Sequence, residues 1–241
     1  MYDHSYTYTK KKITYLTHRR RYNEIRNLLK EYSQRPYETI LDFGGAAGYL
    51  GDRLVEERAI SSNEQFVYDI ETPENQPNKS WYKPALKTQY FYLDLNSECL
   101  PDMQENSSSL IICSETLEHV SDPRVTFDKI CDYARGINAD LLVTVPCEHG
   151  FVGFAKMIAR FMLLRNKNKT FEHNFLYFLK SCGLRGLKVR KNNSFYADHD
   201  GFESEKLLYH IRKNHPDVIY KRGASTLLFF FNSSGLNKKI C

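Results

Sequence analysis

Three aspartates and a glycine-rich turn are the groups in this chain whose spacing indicates a ligand site. Asp42 lies within the apolar segment 39–43, and the run Gly44-Gly45-Ala46-Ala47-Gly48 follows that segment directly. Asp69 and Asp94 lie at or near the ends of two later segments with β-strand character. Ligands of parallel sheets bind at the carboxyl ends of the strands, so we expect the three carboxylates in one crevice beside the turn. A carboxylate after the second strand can accept hydrogen bonds from both hydroxyls of a ribose, and Asp94 is placed to meet an adenine.

The spacing of the turn distinguishes several kinds of nucleotide-binding loop. A phosphate-binding loop ends in Gly-Lys-Ser/Thr, which this segment does not contain. A dinucleotide-binding loop requires a small residue at position 49, where the chain has Tyr49. In the pattern that fits, small residues occupy positions 44, 46 and 48 behind Asp42. Ala46 stands at one of these glycine positions, and alanine keeps the turn tight only if its φ angle is negative. The alternative is a turn that merely packs a helix on a strand.

Further segments extend the pattern along the chain. The turn resembles motif I of the class I S-adenosylmethionine (SAM) methyltransferases, Asp-x-Gly-x-Gly-x-Gly. Residues 114–123, Ser-Glu-Thr-Leu-Glu-His-Val-Ser-Asp-Pro, resemble the segment after the fourth strand in one branch of that family. The branch includes ubiquinone-biosynthesis O-methyltransferases and small-molecule and glycan-tailoring enzymes. Val143-Thr144-Val145-Pro146 and Glu172-His173-Asn174-Phe175 are also similar to it, so the resemblance covers roughly residues 37–232.

This resemblance implies a fold, a cofactor and a reaction. The fold is α/β, the class I methyltransferase (Rossmann-like) sheet of seven strands with an antiparallel last strand and helices on both faces. The reaction is in-line displacement of the SAM methyl group by a nucleophile of the acceptor, in which the protein mainly aligns the reactants. The residues implied in SAM binding follow or end the first four strands: Asp42, Phe43, Gly44, Gly45, Gly48, Asp69, Ile70, Asp94, Leu95, Ser114 and Glu115.

An oxygen nucleophile must lose a proton, and histidine accepts protons near neutral pH. The catalytic candidates are His119, its neighbour Glu118, and His173, with His149 as a further histidine. On a helical turn, Glu115, Glu118 and His119 would share one face. With His173 they would form an oxygen and nitrogen metal site, similar to the one that quinone-biosynthesis and small-RNA 2′-O-methyltransferases use for a divalent ion. The alternative is that Glu118 and His119 only order the loop, as in metal-free relatives, and we expect no metal.

Hydrophobic periodicity predicts the elements that must position these groups. Strands alternate with helices, which indicates a doubly wound parallel sheet. The predicted strands are 39–43, 65–69, 90–95, 110–114, 141–145, 184–191 and 225–232, and the predicted helices are 13–32, 151–165, 174–182, 203–213 and one opened by Asp122 and Pro123. In the helix that follows the glycine turn, we expect Leu54 to face the core and Asp52 to face solvent.

Length and composition favour a single methyltransferase domain over residues 1–241. Residues 1–36 would be an N-terminal helical extension, and residues 147–175 an insert or lid over the acceptor pocket. The chain has 241 residues, 41% of them hydrophobic, which suffices for a sizeable core. No apolar run approaches the roughly 20 residues of a membrane span, and the N-terminus has no apolar signal-peptide core. The six cysteines show no paired or metal-type spacing, so we expect reduced thiols in a cytoplasmic protein.

The charge of the chain is uneven, and this bears on the acceptor. Residues 1–35 carry 9 basic and 3 acidic side chains and residues 165–191 carry 8 and 1, whereas residues 36–164 carry 10 and 20. The basic segments could attract an anionic acceptor, a membrane surface or nucleic acid, or they could be solvated faces. An arginine near His18–Tyr22 could pair with the SAM carboxylate. The apolar segment 151–165 could be a lid in peripheral contact with a membrane or a lipid-like acceptor, or a helix packed on the core or in a dimer interface.

The sequence thus predicts O-methylation of a small molecule, glycan precursor or quinol by a monomer or homodimer. Three alternatives stay open: an RNA 2′-O-methyltransferase with a divalent metal, a SAM-binding protein without turnover, and a nucleotide-sugar or NAD enzyme. Nucleic acid is the less favoured partner, because basic stretches interleaved with aromatic residues are missing from the sequence. The spacing of the glycine turn argues against NAD.

Overall fold

Four strands are buried along nearly their whole length, and this determines how the sheet is covered. The computed structural model describes residues 13–33, 36–77, 83–96, 99–102, 109–147, 202–223 and 226–233. Every residue is buried in β1 (Thr39–Phe43), β5 (Asp140–Pro146) and β7 (Thr226–Phe231), and every residue but the last in β4 (Ser109–Ser114). Strands that are buried on both faces need a layer of helices on each side of the sheet.

The remaining elements complete a seven-stranded sheet in the described part of the chain. They are β2 (Glu64–Asp69), β3 (Lys87–Tyr92), β6 (Ile219–Arg222), α1 (Ile13–Tyr32), α2 (Tyr49–Glu56), α3 (Pro123–Gly136) and α4 (Ser204–Asn214). The strand order is β3-β2-β1-β4-β5-β7-β6. β1 to β5 are parallel, β7 is antiparallel to β5, and β6 is antiparallel to β7. The predicted α/β, Rossmann-like sheet with an antiparallel last strand is confirmed.

Alternate residues of the central strands face two separate cores. Leu41 of β1 belongs to the core that also contains Phe127 of α3. Its neighbour Ile40 belongs to the core that contains Leu28 of α1 and Leu54 of α2. This alternation follows from the two-residue period of a strand, and it places helices on both faces of the sheet as predicted.

The strand order creates the crevice that the carboxylates were expected to line. From β1 the chain moves outward to β2 and β3 and then returns to the other side of β1 as β4. The chain therefore continues in opposite directions along the sheet after the carboxyl ends of β1 and β4. In doubly wound sheets this switch point is where ligands bind.

Predictions at the sheet edges were wrong in two places. β3 runs from Lys87 to Tyr92, not over 90–95, and four of its six residues are exposed. β6 was not predicted at all, and three of its four residues are exposed. Exposed edge strands carry too few apolar residues for the period of two to be visible. The predicted strand 184–191 and the predicted helices 151–165 and 174–182 lie outside the described residues.

Asp52 of α2 is buried, contrary to the prediction from helical period. Its residue exposure is 2%. Its Oδ1 accepts a hydrogen bond from the backbone N of Leu86 at 2.7 Å, just before β3. A charged side chain can be buried when a partner satisfies it, and helical period alone cannot detect a partner 34 residues away. Leu54 is buried, as predicted.

Two further observations concern the helices and the cysteines. No helix within the described ranges combines the length and the apolar character needed to cross a membrane. The described cysteines Cys99, Cys113, Cys131 and Cys147 are free thiols, which agrees with the expectation of reduced cysteines.

The N-terminus of α3 is capped as predicted. Asp122 is the N-cap and Pro123 the first helical residue, and Oδ1 of Asp122 accepts hydrogen bonds from the backbone N of Arg124 at 3.0 Å and of Val125 at 3.4 Å. Burial alone would raise the pKa of the Asp122 carboxyl, but the hydrogen bonds from Arg124 and Val125 and the charge of Arg124 together outweigh burial and lower this pKa. The cap satisfies two backbone donors that the helix itself leaves without acceptors.

Asp122→Ala is expected to lower the free energy of unfolding by about 1 kcal/mol, because it removes both cap acceptors. Glu56→Ala, at an exposed position of α2, is the control and should change that energy by less than about 0.5 kcal/mol. Urea denaturation at pH 7 followed by circular dichroism measures both. Equal midpoints for Asp122→Ala and the wild type would show that the cap does not stabilise α3.

Candidate functional site

The glycine turn joins β1 to α2 through three residues in the left-handed region. Gly44, Ala46 and Gly48 have φ angles of 73°, 49° and 72°. At Gly44 the side chain of Thr116 occupies the space that a Cβ would take, so glycine is required on two grounds. The condition of a negative φ at Ala46 is not met. The backbone N of Ala46 donates to Oδ2 of Asp69 at 2.8 Å, which offsets the cost of this conformation for alanine.

Asp42 places a buried carboxylate beneath the turn. The residue is 1% exposed, and its Oδ2 makes no hydrogen bond in the described part of the chain. The carboxylate also lies where a Cβ at position 45 would be, so Gly45 allows the backbone to pass over it. Burial and, to a lesser extent, the negative charge of Asp69 raise the pKa of Asp42 to about 7. A buried acceptor of this kind suits a ligand that brings an N–H donor or a positive charge.

The carboxylates of Asp69, at the end of β2, and Asp94, after β3, hold the loops that follow these strands. Oδ1 of Asp69 accepts a hydrogen bond from the backbone N of Glu71 at 3.0 Å. Oδ1 of Asp94 accepts from both the backbone N and the side-chain amide of Asn96, each at 2.9 Å. Oδ1 of Asn96 in turn accepts from the backbone N of Ser121 at 2.7 Å. The loop after β3 is therefore joined to the loop after β4, across the crevice edge.

Besides the glycines, two of the implied cofactor residues can offer a ligand only their backbone. The side chains of Phe43 and Leu95 lie in the core, with exposures of 0% and 7%. The carbonyl of Phe43 accepts from Oγ1 of Thr116 at 3.3 Å, and the carbonyl of Leu95 accepts from Nζ of Lys129 at 2.8 Å. Ile70, after β2, is half-buried. Sequence resemblance places these positions but does not distinguish a side-chain contact from a backbone contact.

The segment after β4 is a tight turn and not the expected helical turn. Glu115 has a φ angle of 55°, and the backbone N of His119 donates to the carbonyl of Thr116 at 2.9 Å. Leu117 and Glu118 are both 0% exposed. The expectation that Glu115, Glu118 and His119 share one helix face is therefore wrong, because the left-handed backbone at Glu115 reverses the chain where the strand ends.

The carboxylate of Glu115 is fixed by groups from α1 and β5. Nη1 of Arg21 lies 3.0 Å from Oε2 of Glu115, and Oγ1 of Thr144 donates to Oε1 at 3.3 Å. The side chains of Arg21 and Glu115 are 20% and 15% exposed. Of the arginines near His18–Tyr22, for which the sequence suggested the SAM carboxylate as partner, Arg21 pairs with Glu115. No sequence pattern links residues 21 and 115, since only the packing of α1 on the sheet brings them together.

His119 and Glu118 are the two catalytic candidates that the structure brings together. The side chain of His119 is 24% exposed, and its Nε2 lies 4.0 Å from Oε1 of Glu118, whose side chain is fully buried. Within the described ranges, Glu115, Glu118 and His119 do not form a group whose ligand atoms all lie within 4.8 Å of one another. His173 and His149 lie outside the described residues, so the metal alternative stays a prediction.

A different cluster joins α3 to the end of α4. Among the described residues, ligand atoms of Asp128, His210 and His215 lie within 4.8 Å of one another. Nε2 of each histidine is close to Oδ1 of Asp128, at 2.8 Å for His210 and 2.7 Å for His215. Nη2 of Arg135 lies 3.1 Å from Nδ1 of His215. A guanidinium can only donate, so Nδ1 is the acceptor and Nε2–H of His215 points at Asp128. A metal-bound imidazole needs the opposite arrangement, so this cluster is a hydrogen-bonded clamp.

Fold and turn together define a class: a doubly wound α/β protein with a glycine turn after its first strand and acidic residues at the ends of its first parallel strands. The model of a family described as "Methyltransferase domain" matches residues 15–183 of the chain. This match spans more than half of the 241 residues, and the chain belongs to that family. The protein is a class I SAM-dependent methyltransferase, and SAM is its cofactor.

Solved structures share this fold at low sequence identity. The plantazolicin methyltransferase BpumL, in complex with a triazolic desmethylPZN analog and S-adenosylhomocysteine (SAH), is 12% identical, and the match covers 95% of this chain and 89% of that one with a TM-score of 0.52. The small RNA methyltransferase HEN1 is 15% identical, and the match covers 89% of this chain and 25% of that one with a TM-score of 0.50. At these identities the likeness shows the fold alone. No curated protein matches the chain in sequence.

Asp42→Asn is expected to change how stability depends on pH. The pKa of Asp42 is about 7 in the folded state and about 3.9 in an unfolded chain. Between these values the folded protein keeps a proton that the unfolded chain has released, so the contribution of Asp42 to stability falls as pH rises and is lost above pH 7. Asparagine does not titrate. Relative to the wild type, the free energy of unfolding of Asp42→Asn should therefore rise by about 2–3 kcal/mol from pH 5 to pH 7.

Urea titrations without SAM, at several pH values over this range, measure this difference for the two proteins. Other titrating groups cancel in the comparison, because both proteins carry them. A difference that stays constant with pH would contradict the raised pKa.

Proposed function

We propose that the protein transfers the methyl group of SAM to an oxygen of a small molecule, glycan precursor or quinol, with His119 as proton acceptor. The observation that carries this proposal is the partly exposed imidazole of His119 beside the buried carboxylate of Glu118. A neutral imidazole at the crevice can take the proton of an acceptor hydroxyl. The carboxylate of Glu118 would then stabilise the imidazolium by its charge.

The proposed SAM site is formed by the glycine turn and the carboxylates around it. When bound, SAM supplies a methyl group made electrophilic by the sulfonium. Asp42 offers a buried acceptor without a hydrogen-bond partner in the described residues, which fits the positively charged part of the cofactor. Asp69 would accept the ribose hydroxyls, and Asp94 and Leu95 would contact the adenine. The other proposed contacts are Phe43, Gly44, Gly45, Gly48, Ile70, Ser114 and Glu115.

The acceptor would lie on the opposite side of the switch point, toward β4 and β5. His119 follows β4, and the Arg21–Glu115 pair is held by Thr144 of β5. These groups would orient the acceptor hydroxyl and keep its proton within reach of His119. The segment 147–175, which we predict to cover the acceptor, lies outside the described residues, so its role as a lid, a membrane contact or an interface stays a prediction.

Calorimetry is expected to detect binding of SAM and SAH and no binding of NAD. Asp69→Asn should weaken SAH binding about tenfold or more, because the amide replaces a charged acceptor for the ribose. Its oxygen can still accept from Ala46, but its nitrogen can no longer accept from the backbone N of Glu71. Glu74→Gln, on the exposed surface of the loop after β2, is the matched control and should bind SAH as the wild type does. Unchanged SAH affinity in Asp69→Asn would remove Asp69 from the ribose site, and binding of NAD in place of SAH would end the proposal.

His119→Asn is expected to reduce methyl transfer about 10²–10⁴-fold while SAH affinity stays unchanged, because it removes the proton acceptor and not a cofactor contact. The assay uses labelled SAM and fractionated extract of the protein's own cell. The fraction that takes up label tells whether a lipid, a glycan, another small molecule or RNA is the acceptor. Wild-type turnover in His119→Asn would exclude the proposed role of this histidine.

The same assay tests the alternatives. Without a metal requirement, a chelator should leave transfer intact. Three results together would favour the metal-dependent RNA methyltransferase: the chelator abolishes transfer, Glu118→Gln also abolishes it, and RNA carries the label. Binding of SAH without label in any fraction would favour a SAM-binding protein without turnover.

A further inference from the structure

We propose that Gln65 is a positioning residue for the cofactor: its buried amide holds the glycine turn at Gly48 from beneath, so that the turn is already shaped when SAM binds. This inference rests on the proposed SAM site at the turn. Gln65 itself lies in β2, is 0% exposed, and cannot touch a ligand in the crevice.

The amide of Gln65 has two hydrogen bonds that fix its orientation. Its Nε2 donates to the carbonyl of Gly48 at 3.0 Å and to Oγ1 of Thr88 at 2.8 Å. The hydroxyl of Thr88 donates to the carbonyl of Leu86 at 2.8 Å, so it can offer Gln65 only a lone pair. A carbonyl oxygen also only accepts. The nitrogen of the amide must therefore face both partners, and its oxygen must point away from them.

These bonds belong to a closed circuit that ties the turn to the sheet. The backbone N of Leu86 donates to Oδ1 of Asp52 at 2.7 Å. The backbone N of Asp52 donates to the carbonyl of Gly48 at 3.3 Å, in the first turn of α2. The carbonyl of Gly48 thus receives one bond from the helix it begins and one from Gln65. The circuit connects the turn, α2, β2 and the start of β3 through buried or partly buried groups.

The fit between Gln65 and the turn is steric as well as polar. Gly48 has a φ angle of 72°, and a Cβ at this position would lie 2.8 Å from Nε2 of Gln65. A Cβ at Gly51 would approach Oε1 of Gln65. The two glycines therefore leave the space that the amide fills. Any side chain at Gly48 would displace the amide and would also be strained in this backbone conformation.

The buried amide of Gln65 does not by itself stabilise the folded state. Its Oε1 is buried and has no hydrogen-bond partner in the described part of the chain. An unsatisfied buried acceptor destabilises a protein, and an apolar side chain of the same shape would avoid this cost. A residue that costs stability while it shapes a binding loop is typical of a functional site.

Gln65→Met tests this inference, because methionine keeps the volume of glutamine and removes the donor. SAH affinity measured by calorimetry is expected to fall about tenfold, while the free energy of unfolding in urea stays unchanged or rises. Gln89→Met, the same substitution at an exposed position of β3, is the control and should leave SAH affinity unchanged. A purely structural role for Gln65 would instead lower stability and affinity together, and that result would overturn the proposal.

If Gln65→Met does not fold, two variants of Thr88 test the positioning role of Gln65. Thr88→Ser keeps the hydroxyl that orients Gln65, and Thr88→Val removes it. Thr88→Val should bind SAH about threefold more weakly than Thr88→Ser, and equal affinities would overturn the proposal.

If the wild type binds SAH and Gln65→Met binds it equally well, the inference fails and the SAM site stands. If the wild type does not bind SAH, the proposed function itself fails.

Discussion

The site depends on one constraint of the backbone: between β1 and α2 the chain must reverse over residues 44–48 with three residues in the left-handed region. Two of these residues are glycines, but Ala46 is not, so the conformation has to be held from outside. Asp69 holds the amide of Ala46, Thr116 fills the space above Gly44, and Gln65 holds the carbonyl of Gly48. Two of these side chains come from β2 and one from the segment after β4, so the turn has its shape only when the sheet is assembled.

The turn lies over a buried carboxyl group. Asp42 is buried, and burial and the charge of Asp69 raise its pKa. Burial is also the main reason that the pKa of the Cys113 thiol is raised, and the charges of Glu118 and Asp42 raise it further. Carboxylates gathered in this way repel the pyrophosphate of a dinucleotide and attract a cation. The electrostatics of the crevice thus agree with a sulfonium cofactor, for a reason independent of the glycine spacing.

The other half of the site is formed by long-range packing. α1 is anchored in the core by Tyr22 and Leu28, and this fixes Arg21 against Glu115. Glu115 is also the left-handed residue where β4 ends, and Thr144 of β5 holds its carboxylate. A helix from the start of the chain and two central strands therefore meet at the acceptor side. This arrangement explains why a predicted metal ligand, Glu115, is engaged by a guanidinium in the structure.

The sequence by itself determined the class of fold and the cofactor. Strands such as β1 and β5 consist mostly of apolar residues, so their burial does not depend on which partner covers them. The glycine spacing is a local property of the backbone. The tertiary structure alone decided the features that depend on contacts between distant residues. Helical period placed Asp52 in solvent, whereas the residue is buried and accepts a hydrogen bond from the backbone N of Leu86. Local sterics favour a negative φ for an alanine such as Ala46, whereas its φ is positive and its backbone N donates to Asp69. Helical spacing placed Glu115 on one face with His119, whereas the end of β4 turns the chain the other way. In each case a hydrogen bond or a strand end outside the local segment outweighed a preference of about 1 kcal/mol, and such partners are not visible in a pattern read along one segment.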